Sequence, residues 1–355
     1  MNKKIYSAPL SVCWDLTYKC NLKCIHCCFG NLNSLSNIQH ENISLKESYA
    51  LIDELDKIGV TVLEFAGGEP LIHKNFSEIY NYAATKKFKI SLVTNGILLS
   101  EKLLDMFKRN HIARIQISLD GFNKELHEFI RGKNTFYKTI SKICLVIEKE
   151  ISLIVATVVH KKNYLYLSEF ATFLVDLGVK CFRIQFLLNI GNAKDNNDDL
   201  MIDNNEQIIE IKKLYENTYV KEGKIKIILP CSYESMINEK KLITHSKSFY
   251  SNECGAGTLH ANINPYGDVT ACALLVDKKW IEGNIHFNHF ADIWRNPQGF
   301  KTWRNDYELS GKCTECELYS DCHMGCRAMG FLKYDEEELA NKALCWGKRN
   351  EMVSV

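Results

Sequence analysis

Charge of one sign is what this chain most lacks. Its 355 residues hold 44 lysines and arginines against 43 aspartates and glutamates, well interspersed, for a net charge of +1. A large nucleic-acid footprint needs concentrated positive charge, so that class of partner is excluded. No run of 18 apolar residues occurs, which removes a membrane-spanning helix. The opening MNKKIYSAPLSVCW carries basic residues but no apolar h-region, so secretion is not expected and a cytoplasmic location is. Internal repeats and low-complexity segments are missing too. With 46% hydrophobic residues, the chain can bury one large core or two smaller ones.

Cysteine, by contrast, is abundant. Fifteen cysteines in a chain with no secretion signal read as metal ligands rather than disulfides. Three lie in CNLKCIHC, at Cys20, Cys24 and Cys27, too close for an ordinary disulfide framework. Thiolates are the usual ligands of iron–sulfur clusters, and three on a short loop leave one iron without a protein ligand. Zinc is the other reading, since His26 or Cys28 could close a tetrahedron.

From residue 10 to about 220, short apolar runs alternate with helical patterns. Ser11–Thr17, Thr61–Ala66, Ile90–Thr94, Arg114–Leu119, Leu153–Val159 and Cys181–Leu187 are rich in Val, Ile, Leu and Phe, as buried parallel strands should be. Ser44 and Glu47 form a capping box before a Leu51, Leu55, Ile58 stripe that Gly59 stops. A second helix is expected over Asn163–Leu177, stopped by Gly178. Six strands with helical crossovers predict a parallel sheet, too short to close a full barrel. The polar stretch Asn192–Gln207 reads as a loop, and Asn238–Glu253 as a linker.

The loop after strand one is where αβ barrels keep their chemistry. The loop after strand two carries Gly67-Gly68-Glu69-Pro70, where glycines admit a ligand and a carboxylate can accept from an ammonium group. Together, CX3CX2C and GGEP resemble the radical S-adenosylmethionine (radical SAM) enzymes. That resemblance implies a (βα)6 partial barrel, a SAM-binding [4Fe-4S] cluster on Cys20, Cys24 and Cys27, and contacts from Gly67, Gly68, Glu69 and Pro70 to the SAM amino group. Thr94-Asn95-Gly96 and Ser118-Leu119-Asp120-Gly121 resemble segments that line SAM, so Asn95, Ser118 and Asp120 are candidate contacts. Arg131 stands where relatives carry an arginine for the SAM carboxylate. The chemistry implied is reductive cleavage of SAM to a 5′-deoxyadenosyl radical, fed by a reductant such as flavodoxin or ferredoxin.

Beyond the linker, Cys254, Cys272, Cys313, Cys316, Cys322, Cys326 and Cys345 form a second array. It resembles the SPASM domain, which appends two auxiliary iron–sulfur clusters to a radical SAM barrel, making three [4Fe-4S] clusters in all. Carried over by position, one cluster would use Cys313, Cys316, Cys322 and Cys345, the other Cys254, Cys272 and Cys326. His260 stands where some relatives have a further cysteine, so that site is either closed by histidine or left open. The expected organisation is a barrel over 10–237, a linker over 238–252 and a SPASM domain over 253–350. Cys13, Cys28, Cys144 and Cys181 read as small core residues, and Cys231 as a candidate hydrogen donor. SPASM enzymes mostly modify ribosomal peptides or proteins by crosslinking, epimerisation or side-chain oxidation. A peptide substrate is therefore expected, with room for a separate peptide-recognition protein. A haem-type oxidative decarboxylase of tetrapyrroles is the alternative. A bare electron carrier would leave GGEP and the polar strand ends without a purpose.

Overall fold

The computed structural model describes residues 6–30, 42–202, 204–230 and 254–304, with 326, 328 and 332. Its frame is one ten-stranded sheet. The strands are β1 (Ser11–Thr17), β2 (Val62–Gly67), β3 (Lys89–Thr94), β4 (Arg114–Ser118), β5 (Leu153–Val159), β6 (Cys181–Phe186), β7 (Lys226–Ile228), β8 (His260–Ile263), β9 (Asp268–Thr270) and β10 (Gly283–Asn284). Their order is β10-β9-β8-β1-β2-β3-β4-β5-β6-β7. Every neighbouring pair from β1 to β7 is parallel, and so is β1 with β8; the β8-β9-β10 meander is antiparallel. All six expected strands are present, within a residue at each end. What periodicity could not reveal is that the C-terminal meander adds to the same sheet beside β1.

Helices α1 (Leu45–Ile58), α2 (Phe76–Ala84), α3 (Glu101–Arg109), α4 (Lys124–Arg131), α5 (Phe136–Glu148) and α6 (Leu167–Asp176) fill the crossovers. Their starts follow from side-chain chemistry. The capping box of α1 is complete, with Glu47 Oε2 accepting from the Ser44 N–H at 2.8 Å. Ser100 and Asn123 cap α3 and α4 by single bonds, their side-chain oxygens accepting from the Leu103 and Leu126 N–H groups. The expected second helix appears as a single 3-10 turn, Tyr164–Tyr166, running into α6.

Strand alternation then sorts the two faces. Val12, Trp14, Leu63, Phe65, Leu92, Ile115, Ile117, Val155, Phe182 and Ile184 are buried in one continuous core with the helices. The opposite face carries Cys13, Asp15, Glu64, Gln116 and Arg183, an interior lined with polar groups. Arg183 Nη1 donates to Gln116 Oε1 at 2.6 Å and Arg114 pairs with Glu64 at 3.4 Å across it. The stretch expected as a loop after β6 instead forms helices Asn192–Asp195, Asn197–Leu200 and Asn204–Glu216. Burial decides this: Ala193 and Leu200 within the stretch, and Ile211 and Leu214 where its last helix continues beyond it, are all fully buried. The proposed linker 238–252 lies outside the described residues.

Candidate functional site

The loop leaving β1 is held from all sides. Tyr18 is buried against Phe29 and Tyr266, with ring centroids 5.2 and 6.0 Å away. The Ile25 N–H donates to the Ile130 carbonyl at the end of α4 (3.1 Å). From the segment after β6, Asn192 Nδ2 donates to the Cys24 carbonyl (2.9 Å), the Asn192 N–H to the Cys27 carbonyl (2.9 Å), and Asn196 Nδ2 to the Ile25 carbonyl (3.3 Å). Gly191 packs so closely that a Cβ there would meet the Cys27 carbonyl oxygen at 2.3 Å. Neither asparagine was legible as a site residue, because the contact joins positions 168 residues apart.

Cys20 is exposed, Cys24 buried and Cys27 half-buried, none of them in a disulfide. Three N–H groups approach their sulfurs: Leu22 N–H at 3.4 Å and Asn95 Nδ2 at 3.8 Å to Cys20, and Arg131 Nη1 at 4.0 Å to Cys24. Burial pushes the Cys24 thiol up to about 11, while the Arg131 guanidinium pulls it down. Three sulfurs on one loop, met by N–H donors, fit the ligand set of an iron–sulfur cluster, whose sulfurs take such bonds.

GGEP ties this loop to the sheet. The Gly68 and Glu69 N–H groups donate to the Thr17 and Lys19 carbonyls at 2.7 and 2.9 Å. A Cβ on Gly68 would stand 2.3 Å from the Lys19 carbonyl oxygen, so only glycine fits. Glu69 is fully buried. Its Oε1 accepts from Thr94 Oγ1 (2.7 Å) and the Leu71 N–H (3.2 Å), its Oε2 from the Asn95 N–H (2.8 Å). Pro70 opens a 3-10 turn behind it. Asn95 reaches back to Asn21 Oδ1 at 2.8 Å. Ser118 ends β4, and Asp120 just beyond it is fully buried.

Among the C-terminal candidates, Cys254, Cys272 and Cys326 fall in the described residues, with Cys254 and Cys326 each within electrostatic reach of Cys272. Burial drives the Cys272 thiol far up. Cys254 and His260 stand at the two ends of a turn in which the Thr258, Leu259 and His260 N–H groups all point at the Gly255 carbonyl. His260 Nδ1 sits 3.0 Å from Ser11 Oγ of β1. Cys231, Cys313, Cys316, Cys322 and Cys345 lie outside the described residues. Of the expected core cysteines, Cys13 is buried, while Cys28, Cys144 and Cys181 are half-buried.

Asp15 was not anticipated. It is 1% exposed on the interior face of β1, and Asn262 Nδ2 donates to its Oδ2 at 3.2 Å. Its Oδ1 has no hydrogen-bond partner among the described residues. Burial raises its carboxyl to about 7. The signal available in the sequence was a lone acid inside the apolar strand SVCWDLT.

The radical SAM superfamily matches residues 14–174, and the SPASM iron–sulfur cluster-binding domain matches 254–317. The AdoMet-dependent heme synthase of Methanosarcina barkeri is 30% identical over 346 residues, spanning 94% of this chain and 96% of that protein. The chain belongs to the radical SAM superfamily. Within that family, the mycofactocin maturase MftC of Mycolicibacterium smegmatis is 28% identical, over 91% of this chain and 79% of MftC. The crystal structure of Streptococcus suis SuiB bound to its precursor peptide SuiA superposes with a TM-score of 0.75 at 18% identity, covering 93% of this chain and 76% of SuiB. The chain is thus a radical SAM enzyme with a SPASM domain, families that imply SAM and iron–sulfur clusters. Among the described residues, no helix is long and apolar enough to cross a membrane.

Proposed function

We propose that this radical SAM/SPASM enzyme modifies a peptide or protein by crosslinking, epimerisation or side-chain oxidation. The observation that carries it is the β1 loop, where Cys20 and Cys24 meet three N–H donors, with Cys27 beside them and the GGEP turn tied to the same loop. Cys20, Cys24 and Cys27 would hold the SAM-binding cluster. Gly67, Gly68, Glu69, Pro70, Asn95, Ser118 and Arg131 would border SAM. Cys254, Cys272, Cys326 and the array Cys313, Cys316, Cys322, Cys345 would hold two auxiliary clusters, with His260 at the open corner of the first. Bound there, the cluster and SAM would supply radical hydrogen-abstraction chemistry. The chain's own residues do the rest. GGEP and Asn192 fix the loop, and Tyr18 packs against Phe29 at its base. The polar interior around Gln116 and Arg183 would receive the substrate. The domains would run 10–237, 238–252 and 253–350, in the cytoplasm, with flavodoxin or ferredoxin as reductant and a separate peptide-recognition protein as partner.

The likeness to MftC, a maturase, and to SuiB with its precursor peptide supports the peptide reading. The length and identity of the match to the heme synthase keep tetrapyrrole decarboxylation as the second. Replacing Cys20, Cys24 and Cys27 together by alanine is expected to abolish reductive SAM cleavage while auxiliary iron is retained. Continued formation of 5′-deoxyadenosine by the anaerobically reconstituted triple variant would overturn the assignment. A tetrapyrrole carrying propionates, consumed by the wild type with loss of carbon dioxide, would decide for the second reading.

A further inference from the structure

Asp120 is fully buried in the turn between β4 and α4, yet it joins four separate pieces of the chain. Its Oδ1 accepts from the Val158 N–H at 2.9 Å, with Thr157 Oγ1 at 3.4 Å, both at the end of β5. Its Oδ2 accepts from Arg131 Nε at 2.6 Å, at the end of α4. The same oxygen lies 3.4 Å from Nε2 of His26, inside the cysteine loop. Its backbone is also fastened, the N–H to His127 Nδ1 (3.2 Å) and the carbonyl to Asn163 Nδ2 (3.2 Å). Both carboxylate oxygens are therefore engaged within the protein. What it holds is more informative than what it could bind. A guanidinium has five N–H donors in a rigid fork, so fixing one edge aims the other. With Nε on Asp120, Nη1 is directed to Cys24 Sγ at 4.0 Å.

We infer that Asp120 is a positioning residue, which sets the Nη edge of Arg131 and the ring of His26 against the cysteine loop and governs SAM binding through them. This rests on the reading of that loop as the SAM-binding cluster site. The Arg131 and Asp120 side chains are 10% and 0% exposed, so the pair is desolvated and its geometry is enforced. Asparagine has the shape of aspartate but must place one NH2 group. Toward Arg131 it would oppose the Nε–H; toward β5 it would oppose the Val158 N–H. Either arrangement releases one of the two anchors.

The test uses the full chain, reconstituted anaerobically with iron and sulfide, and SAM itself as the probe. Asp120→Asn and Arg131→Lys should each keep wild-type iron content. Each should weaken SAM binding about tenfold or more, as loss of a charge-assisted bond requires. Each should also alter the electron paramagnetic resonance signal of the reduced cluster before SAM is added. The double variant should be no weaker than the weaker single one, because both changes cut the same link. Wild-type SAM affinity in Asp120→Asn, or losses that multiply in the double variant, would overturn the inference. Should Asp120→Asn not fold, Arg131→Lys decides alone: lysine keeps the charge but has no Nε–H for Asp120, so wild-type behaviour would overturn it. A wild-type protein that binds no iron at the cysteine loop would instead overturn the underlying cluster reading.

Discussion

Glu69, just past the end of β2, and Asp15, on β1, are both buried carboxylates, but their surroundings differ. Glu69 meets three donors, and replacing it by glutamine turns one acceptor into a donor facing N–H or O–H groups. Glu69→Gln is expected to cost about 1–3 kcal/mol of stability, measured by urea unfolding. Among the described residues Asp15 has one donor and an oxygen with none, and burial raises its carboxyl to about 7. A folded carboxyl raised above its unfolded value of about 3.9 contributes stability fully below that pH. The contribution is lost as pH rises through about 7. Iron-free Asp15→Asn should therefore gain in urea midpoint over wild type at pH 8 relative to pH 5; equal differences at both pH values would refute this. The cysteines and GGEP were legible at this scale because their chemistry is contained in eight and four residues. Asp15, Asn192 and the hub at Asp120 were not, because their meaning depends on which distant strand or turn lies beside them.

Local elements were the most readable. Apolar runs marked β1 and β5 with their true ends, since both are buried on the core face and bounded by polar turns. The start of α1 was legible from Ser44 and Glu47 alone. Ser44→Ala is expected to cost about 1 kcal/mol. The Ser44 hydroxyl, with help from the Ser44 N–H and His286, holds the Glu47 carboxyl down at about 2. A folded value below the unfolded one of about 4.3 stabilises above that pH. That stabilisation is lost as pH falls toward about 2. Thermal scans between pH 5 and 2 should show the wild type losing more than Ser44→Ala over that range, because the variant has already lost the main bond. The helices after β6 were missed because Asn and Asp outnumber the few apolar residues that dock them. Composition favoured a loop, and four buried side chains overruled it.

At the scale of the whole molecule, β1 is a central strand shared by barrel and meander, paired with β2 on one side and β8 on the other. A chain ending at residue 237 would leave Val12 and Trp14 on an open edge, a template for aggregation. Such a fragment should be insoluble or associate, as sedimentation would reveal, whereas two independent domains would give a soluble barrel. The parallel barrel was legible from its strands, but not the continuity of the sheet, because no local pattern states that β8 lies beside β1.

That pairing also has a consequence in time. During synthesis, β1 is flanked on its second side only when His260–Ile263 has been made. At about 5–20 residues per second, the interval is roughly 12–50 s. Throughout it, Cys20, Cys24 and Cys27 hang from a half-finished strand, exposed to whatever oxidants the cell contains. The chain's tolerance of air should be lowest not in the finished enzyme but while it is being born.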